Sequence, residues 1–180
     1  FVPIALREAA YIGENLPLGG DRVMLEPRTL GKMLDGLMIE PIHVVLDLGC
    51  GLGYSTAVLS KLCDFVVAVE DDDDRATLAQ KNLSDHGIDN AAVMTGQLIE
   101  GSPKSGPYDI ITVQGAVEQV PASLLAQLRD GGRIACIFAE GALGVVRIGH
   151  KIDGLVNWRF LFNASAPVLV GFEKEAIFTL

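Results

Sequence analysis

The sequence predicts a doubly wound α/β domain, a mostly parallel seven-stranded sheet whose C-terminal end is antiparallel. Three observations predict it. Strand-length runs rich in aliphatic and β-branched residues, Val44–Leu48, Phe65–Val69, Ala91–Thr95 and Ile110–Val113, are separated by stretches long enough for the crossovers that parallel strands need. The chain is 49% hydrophobic, with Leu, Val, Ile and Ala dominant, as a sheet buried on both faces requires. After Gly141 the pattern changes: Asp153-Gly154 lies between two apolar runs, which is a hairpin signal.

Taken in order, Ile4 to Ala10 reads as a short helix, and Leu16-Pro17-Leu18-Gly19-Gly20 reads as a loop. Pro27 suits the first turn of a helix carrying Leu30, Met33, Leu34 and Leu37 at helical spacing. The strand Val44–Leu48 runs into a glycine turn, followed by a helix from Ser55 to about Leu62. Phe65–Glu70 is the second strand. Asp72 or Asp73 caps the next helix, about Arg75–His86, and Gly87 suits the position after it. Ala91–Thr95 is a strand, Gly101–Pro107 a loop, and Ile110–Val113 a strand preceded by Asp109. Pro121 opens a helix through about Leu128, and Asp130-Gly131-Gly132 turns the chain into Arg133–Phe138. Val145–Gly149 and Val156–Phe162 form the hairpin, and Ala176–Leu180 is one more strand. No repeat or linker divides residues 1–180, so a single domain is expected.

Composition excludes several functions. A net charge of −9 and a pI near 4.7 argue against nucleic acid, whose phosphates require a basic surface. No apolar run reaches the roughly 18 residues of a membrane span, and no signal peptide is visible. Cys50, Cys63 and Cys136 are odd in number and widely spaced, which reads as core thiols in a reducing cytoplasm. His43, His86 and His150 are equally scattered, so no metal site is expected. The chain begins at Phe1 rather than methionine, which reads as a missing amino-terminal segment.

The chemistry concentrates in Asp47-Leu48-Gly49-Cys50-Gly51-Leu52-Gly53-Tyr54. Glycines at every second position let the backbone turn at positive φ and approach a ligand at the carboxyl end of a parallel strand. A dinucleotide motif, G-x-G-x-x-G, would need glycine at Tyr54 or Thr56. The observed Asp-x-Gly-x-Gly-x-Gly suits S-adenosyl-L-methionine (SAM), which has an ammonium group for a carboxylate and no pyrophosphate to cradle. A nicotinamide or flavin, and a turn that holds no ligand, are the alternatives. Glu70 ends the second strand about 17 residues past Gly53, where an acid accepts from ribose hydroxyls. Asp71 is a second candidate there. Ser55 and Thr56, at a helix start, read as capping hydroxyls, and Tyr54 either lines the pocket or packs on the sheet.

Further motifs carry a resemblance: Phe1-Val2-Pro3, Ala10-Tyr11, Leu16-Pro17-Leu18-Gly19, Leu46 to Tyr54, Pro107-Tyr108-Asp109, Gly115-Ala116, and Gln127 to Arg133. In this order they resemble the protein-L-isoaspartate O-methyltransferase family of Rossmann-like, class I SAM-dependent methyltransferases. The resemblance weakens after about Gly141. It implies methyl transfer from SAM to the α-carboxylate of isoaspartyl residues in damaged protein, with S-adenosyl-L-homocysteine as product. It further implies that Asp47, Gly49, Gly51 and Gly53 hold the methionine end of SAM and Glu70 the ribose. The family's Gly-Asp-Gly beside the adenine stands here as Gly96-Gln97-Leu98, with Gln97 able to accept from the adenine amino group. The family's active-site serine, two residues before the proline, is Leu25 here. Glu26 would repel an anionic acceptor if it points inward, whereas Arg28 suits a carboxylate. These departures leave two alternatives open: a changed acceptor, or a SAM-binding domain without catalysis.

Overall fold

The computed structural model describes residues 1–141 and 143–174. The strand expected at Ala176–Leu180 lies outside them. The chain opens with a 3-10 helix, Ile4–Ala9, then β1 (Leu16–Gly19), β2 (Arg22–Met24) and α1 (Pro27–Leu37). It continues through β3 (Val44–Leu48), α2 (Tyr54–Leu59), β4 (Phe65–Glu70), α3 (Asp73–Asp85) and β5 (Ala91–Thr95). After a 3-10 turn, Leu98–Glu100, come β6 (Tyr108–Val117), α4 (Ala122–Leu125), β7 (Leu128–Glu140), β8 (Leu143–Ile152) and β9 (Leu155–Asn163).

Seven strands form one sheet in the order β5-β4-β3-β6-β7-β8-β9, parallel from β5 to β7 and antiparallel through β8 and β9. From β3 the chain winds outward to β4 and β5, then returns to lay β6 on the other side of β3. This reversal opens a crevice at the carboxyl ends of β3 and β6, where α/β sheets bind ligands.

Alternate residues of each strand feed two cores. Val45, Val66, Ile110 and Ile137 pack with Leu30, Met33, Leu34 and Leu37 of α1 and with Leu59 and Leu83 of α2 and α3. Leu46, Leu48, Val67, Val69 and Ile111 face the opposite way, toward Leu98, Leu124, Leu169 and Phe172. That second face is covered by short pieces rather than long helices.

Several expected boundaries shift for physical reasons. Leu16–Gly20 is a strand and not a loop: Leu16 pairs with Met24 and Pro17 with Val23 across a turn at Gly19 and Gly20, both at positive φ. Pro17 is tolerated because this ribbon has two strands only, so each is an edge. The helix after Pro121 stops at Leu125, because Gln127 O accepts from Tyr108 N and Leu128 already pairs with Tyr108. Asp130-Gly131-Gly132 is a register shift inside β7, with Gly131 at φ 83°. The helix after the glycine turn ends at Leu59, earlier than expected, and the first helix is 3-10. Asp72 caps α3 through Arg75 N at 2.8 Å, and Asp153 and Gly154 turn β8 into β9 with φ of 51° and 78°. Trp158 packs edge-on against Phe138, with ring centroids 4.9 Å apart. Among the described residues no helix is long and apolar enough to cross a membrane.

Gly144 shows how tightly the antiparallel end is built. A Cβ there would lie 2.1 Å from the carbonyl oxygen of Ala164, a backbone atom of the residue whose own amide donates to Gly144 O. Gly144→Ala is expected to cost about 2 kcal/mol of stability by overpacking, read as a lowered urea midpoint. An unchanged midpoint would mean that this end of the sheet yields freely.

Candidate functional site

Asp47 lies at the fourth position of β3, level with Thr112 of β6. It has no solvent exposure, and its carboxylate accepts four hydrogen bonds. Oδ2 takes the hydroxyls of Ser55 and Thr56, each at 2.7 Å; Oδ1 takes Thr112 Oγ1 at 2.8 Å and Gln114 Nε2 at 2.7 Å. Four donors fill the acceptor capacity of a carboxylate. Ser55 and Thr56 therefore tie the start of α2 to the sheet instead of capping their own helix, whose N-cap is Gly53.

The turn between β3 and α2 follows from this anchoring. Gly49, Gly51 and Gly53 have φ of 78°, 58° and 91°, a region that side chains rarely enter. Gly49 N donates to Val69 O at 2.8 Å, and Gly53 N to Cys50 O at 2.9 Å. Cys50 is buried inside the turn, and burial, followed by the charges of Asp47 and Glu70, pushes its thiol well above the usual value. It is a small packing group there and not a nucleophile.

Glu70 ends β4 beside the turn and is wholly buried. Its Oε1 accepts from Arg22 Nη1 at 2.8 Å and Arg75 Nε at 3.0 Å; its Oε2 accepts from Arg22 Nη2 at 2.9 Å and Gly51 N at 2.7 Å. Asp71, partly exposed, accepts from Arg22 Nη1 at 2.5 Å and Arg75 Nη2 at 3.2 Å. Burial pushes the Glu70 carboxyl upward against the pull of both arginines. Burial also acts on Asp71, but Arg22 and Arg75 outweigh it and hold that carboxyl low.

The structure thus brings Asp47, Gly49, Gly51, Gly53, Glu70 and Asp71 together at the crevice. Gln97 is exposed just past β5, where its backbone carbonyl accepts from Glu100 N at 3.1 Å. Leu25 is buried in the core under α1. Glu26 is nearly buried, with Oε1 accepting from Thr29 Oγ1 at 2.9 Å and Arg28 Nε at 3.3 Å, while the Arg28 side chain is 79% exposed. Tyr54 lines a cleft with Leu25, and its ring meets that of Phe1 in the N-terminal segment, 6.2 Å between centroids.

Sequence reasoning missed Arg22. It stands 48 positions before Glu70, just past the Leu16–Gly20 stretch read as a loop and in no predicted element, and no spacing rule links the two. Its effect on the crevice is large. A Cβ on Gly49 would lie 2.9 Å from Arg22 Nη2, and one on Gly51 2.6 Å from Leu18 Cδ1. The space a ligand would take over the glycine turn is filled by two side chains of the β1–β2 hairpin. The void left among Leu18, Gly49, Cys50 and Gln114 is about 10 Å³, and the cleft beside Tyr54 and Leu25 about 30 Å³. A ligand of nucleoside size needs roughly 300 Å³ or more. The donors and acceptors suit SAM in kind, but the arrangement does not admit it while the hairpin lies there. Among the described residues no cluster of His, Cys, Asp and Glu is placed to hold a metal ion.

Comparison with known proteins adds an independent line. The family model described as protein-L-isoaspartate(D-aspartate) O-methyltransferase matches residues 1–158. A protein-L-isoaspartate O-methyltransferase of Vibrio cholerae is 38% identical over 95% of this chain and 82% of its own length. One from Polaromonas is 34% identical over 74% of this chain, and the match spans 57% of that relative's length. A solved protein-L-isoaspartate O-methyltransferase superposes with a TM-score of 0.78 at 24% identity, over 85% of this chain and 50% of that one. A Plasmodium falciparum β-aspartate methyltransferase, solved in complex with S-adenosyl-L-homocysteine, gives 0.75 at 21% identity, over 91% of this chain and 83% of that one. At those identities the structural likeness is one of fold.

Replacing Asp47 tests the anchoring. Asp47→Ala leaves two hydroxyls, an amide and a threonine on the neighbouring strand without their acceptor, and is expected to cost about 3 kcal/mol or more. Urea unfolding measures it; a loss below about 1 kcal/mol would remove Asp47 from its place as the tie between β3, β6 and α2.

Proposed function

Because the chain belongs to the protein-L-isoaspartate O-methyltransferase family, we propose that it transfers a methyl group from SAM to the α-carboxylate of isoaspartyl residues in damaged proteins, with S-adenosyl-L-homocysteine as product. The observation that carries this reading is the pairing of an Asp47–Gly53 turn at positive φ with a carboxylate, Glu70, at the end of the next strand, both at the reversal of strand order. The relatives named for this activity are similar over most of this chain, which supports the same acceptor.

SAM, when bound, supplies the methyl group; the chain supplies position and dryness. With the β1–β2 hairpin moved aside, Gly49 and Gly51 would offer backbone to a ligand at the crevice and Glu70 with Asp71 acceptors for its hydroxyls, while Gly53 lets α3 lie close, a Cβ there coming within 3.3 Å of Ala79 O. Asp47 acts through Ser55, Thr56, Thr112 and Gln114, holding the turn in shape. Gln97, at the exposed rim past β5, is the residue we assign to the adenine side.

A carboxylate acceptor is already an adequate nucleophile near neutral pH, so no general base is needed. What matters is in-line approach and exclusion of water. The cleft wall of Tyr11, Leu16, Met24, Leu25 and Tyr54 is largely apolar. Leu25 adds to it instead of presenting a hydroxyl. Next to it an open groove of about 300 Å³ is lined by Glu26, Arg28, Thr29, Lys32 and Phe162. Arg28 and Lys32 place two cations there, with Lys32 Nζ 3.9 Å from the centre of the Phe162 ring. Glu26 turns its carboxylate to Thr29 and Arg28, so its charge is partly answered before an anionic acceptor arrives. Three free, buried cysteines support a reducing, cytoplasmic setting.

Leu25 and Glu26 favour one second reading, a member of this family with a changed acceptor. Labelled methyl transfer from SAM to an isoaspartyl peptide, with the aspartyl peptide as control, separates the two. Incorporation into the isoaspartyl peptide alone is expected; incorporation into neither, with transfer to another acceptor in cell extract, would favour the second reading. Arg28→Ala is expected to raise KM for the isoaspartyl peptide about tenfold with little change in kcat, the loss of one charge-assisted contact. An unchanged KM would take Arg28 out of the acceptor site.

A further inference from the structure

The acceptor positions on Glu70 are fully subscribed. Arg22 takes one position on each oxygen, Arg75 a second on Oε1 and the Gly51 amide a second on Oε2. A carboxylate has about four such positions. A ribose diol can therefore bond Glu70 only if a present donor leaves. Gly51 N belongs to the turn itself. Arg75 sits on α3, and its second ion pair, to Asp71, is within the same helix start. Arg22 instead comes from far along the chain, on a two-stranded ribbon that pairs with no other strand among the described residues.

Three features mark Arg22 as the donor that leaves. Among the described residues its buried Nε has no hydrogen-bond partner, so the guanidinium is imperfectly satisfied where it lies. Asp71, at the rim, already accepts from Nη1 at 2.5 Å and can keep the charge when Glu70 is given up. Leu18, on the same ribbon, fills the space over Gly51, so one movement of β1–β2 removes both obstacles.

We infer that Arg22 is an internal competitor for the cofactor site: its guanidinium and the ribose hydroxyls are alternative partners of Glu70, and the balance between them sets the cofactor's affinity. The inference rests on the methyltransferase reading above. The binding-competent form, with Arg22 away from Glu70, is then populated for only part of the time. The apparent Kd exceeds the intrinsic one by the inverse of that fraction, and removing the competitor recovers the difference.

The test is titration calorimetry of S-adenosyl-L-homocysteine against the wild-type protein, Arg22→Ala, Arg22→Gln and Leu18→Ala, with thermal melting to confirm that each variant folds. Arg22→Ala is expected to melt lower than wild type without ligand and to bind S-adenosyl-L-homocysteine about tenfold or more tightly. Arg22→Gln, which keeps a neutral donor, should fall between the two. Leu18→Ala should also bind more tightly, with no charge altered. Equal or weaker binding by the Arg22 variants, with wild type binding normally, overturns the competition and makes Arg22 a bystander or a ligand contact. No binding by wild type or any folded variant at millimolar S-adenosyl-L-homocysteine overturns the methyltransferase reading itself, and this inference with it.

Discussion

The crevice depends on a buried carboxylate that bonds only within the protein. Asp47 is drawn inside by its place on the central strand, and burying it without partners would cost more than the fold can sustain. Four donors answer it, from the start of α2 and from β6. Those bonds join the strand on which the sheet reverses to its parallel neighbour and to the helix that follows. The glycine turn is what remains between two fixed ends, and its three positive φ values follow from the short span it must cross. Had Asp47 been an apolar residue, the turn would be free to adopt other shapes.

The second buried acid is handled differently, and the contrast is instructive. Glu70 is paired with formal charges, Arg22 and Arg75, and shares them with Asp71. A buried ion cluster of this kind contributes less net stability than its distances suggest, since each charge has given up water. What it supplies is a choice of partners. Hydroxyls of Ser and Thr have few alternatives once buried, so Asp47 is static. An arginine on a long stem can move from Glu70 to Asp71 without losing its counter-charge. One acid shapes the site and the other is exchangeable.

The two faces of the sheet also divide their work. α1, α2 and α3 cover one face with apolar residues at helical spacing, and they meet the N-terminal segment where Phe1 stacks on His86 at 4.8 Å. The other face is closed by α4, a 3-10 turn and the stretch around Leu169 and Phe172. Phe172 O accepts from the amides of Glu118 and Gln119, so the residues after β6 are tied to the C-terminal stretch. The groove proposed for the acceptor lies on the better-covered side, at the start of α1, where Arg28 and Lys32 stand on a helix with a buried apolar face.

The order of strands and helices from α1 onward, the hairpin at Asp153-Gly154, the glycine turn and Glu70 at a strand end were legible in the sequence. Each is set by local physics: apolar runs need burial, helical spacing needs one covered face, and glycine is needed where φ is positive. Element ends were less legible, because hydrogen bonds to distant strands set them, as the Tyr108–Gln127 bond cuts α4 short. The hairpin β1–β2 was hidden for the same reason, since Leu-Pro-Leu-Gly-Gly reads as a loop until Met24 and Val23 are brought opposite it. What Asp47 and Glu70 bond to was decided by the tertiary structure alone. Thr112 and Gln114 lie 65 and 67 positions from Asp47, and Arg22 lies 48 from Glu70. A sequence shows which carboxylates will be buried at a strand end; only the packed chain shows which donors reach them, because that depends on distances in space that no spacing along the chain records.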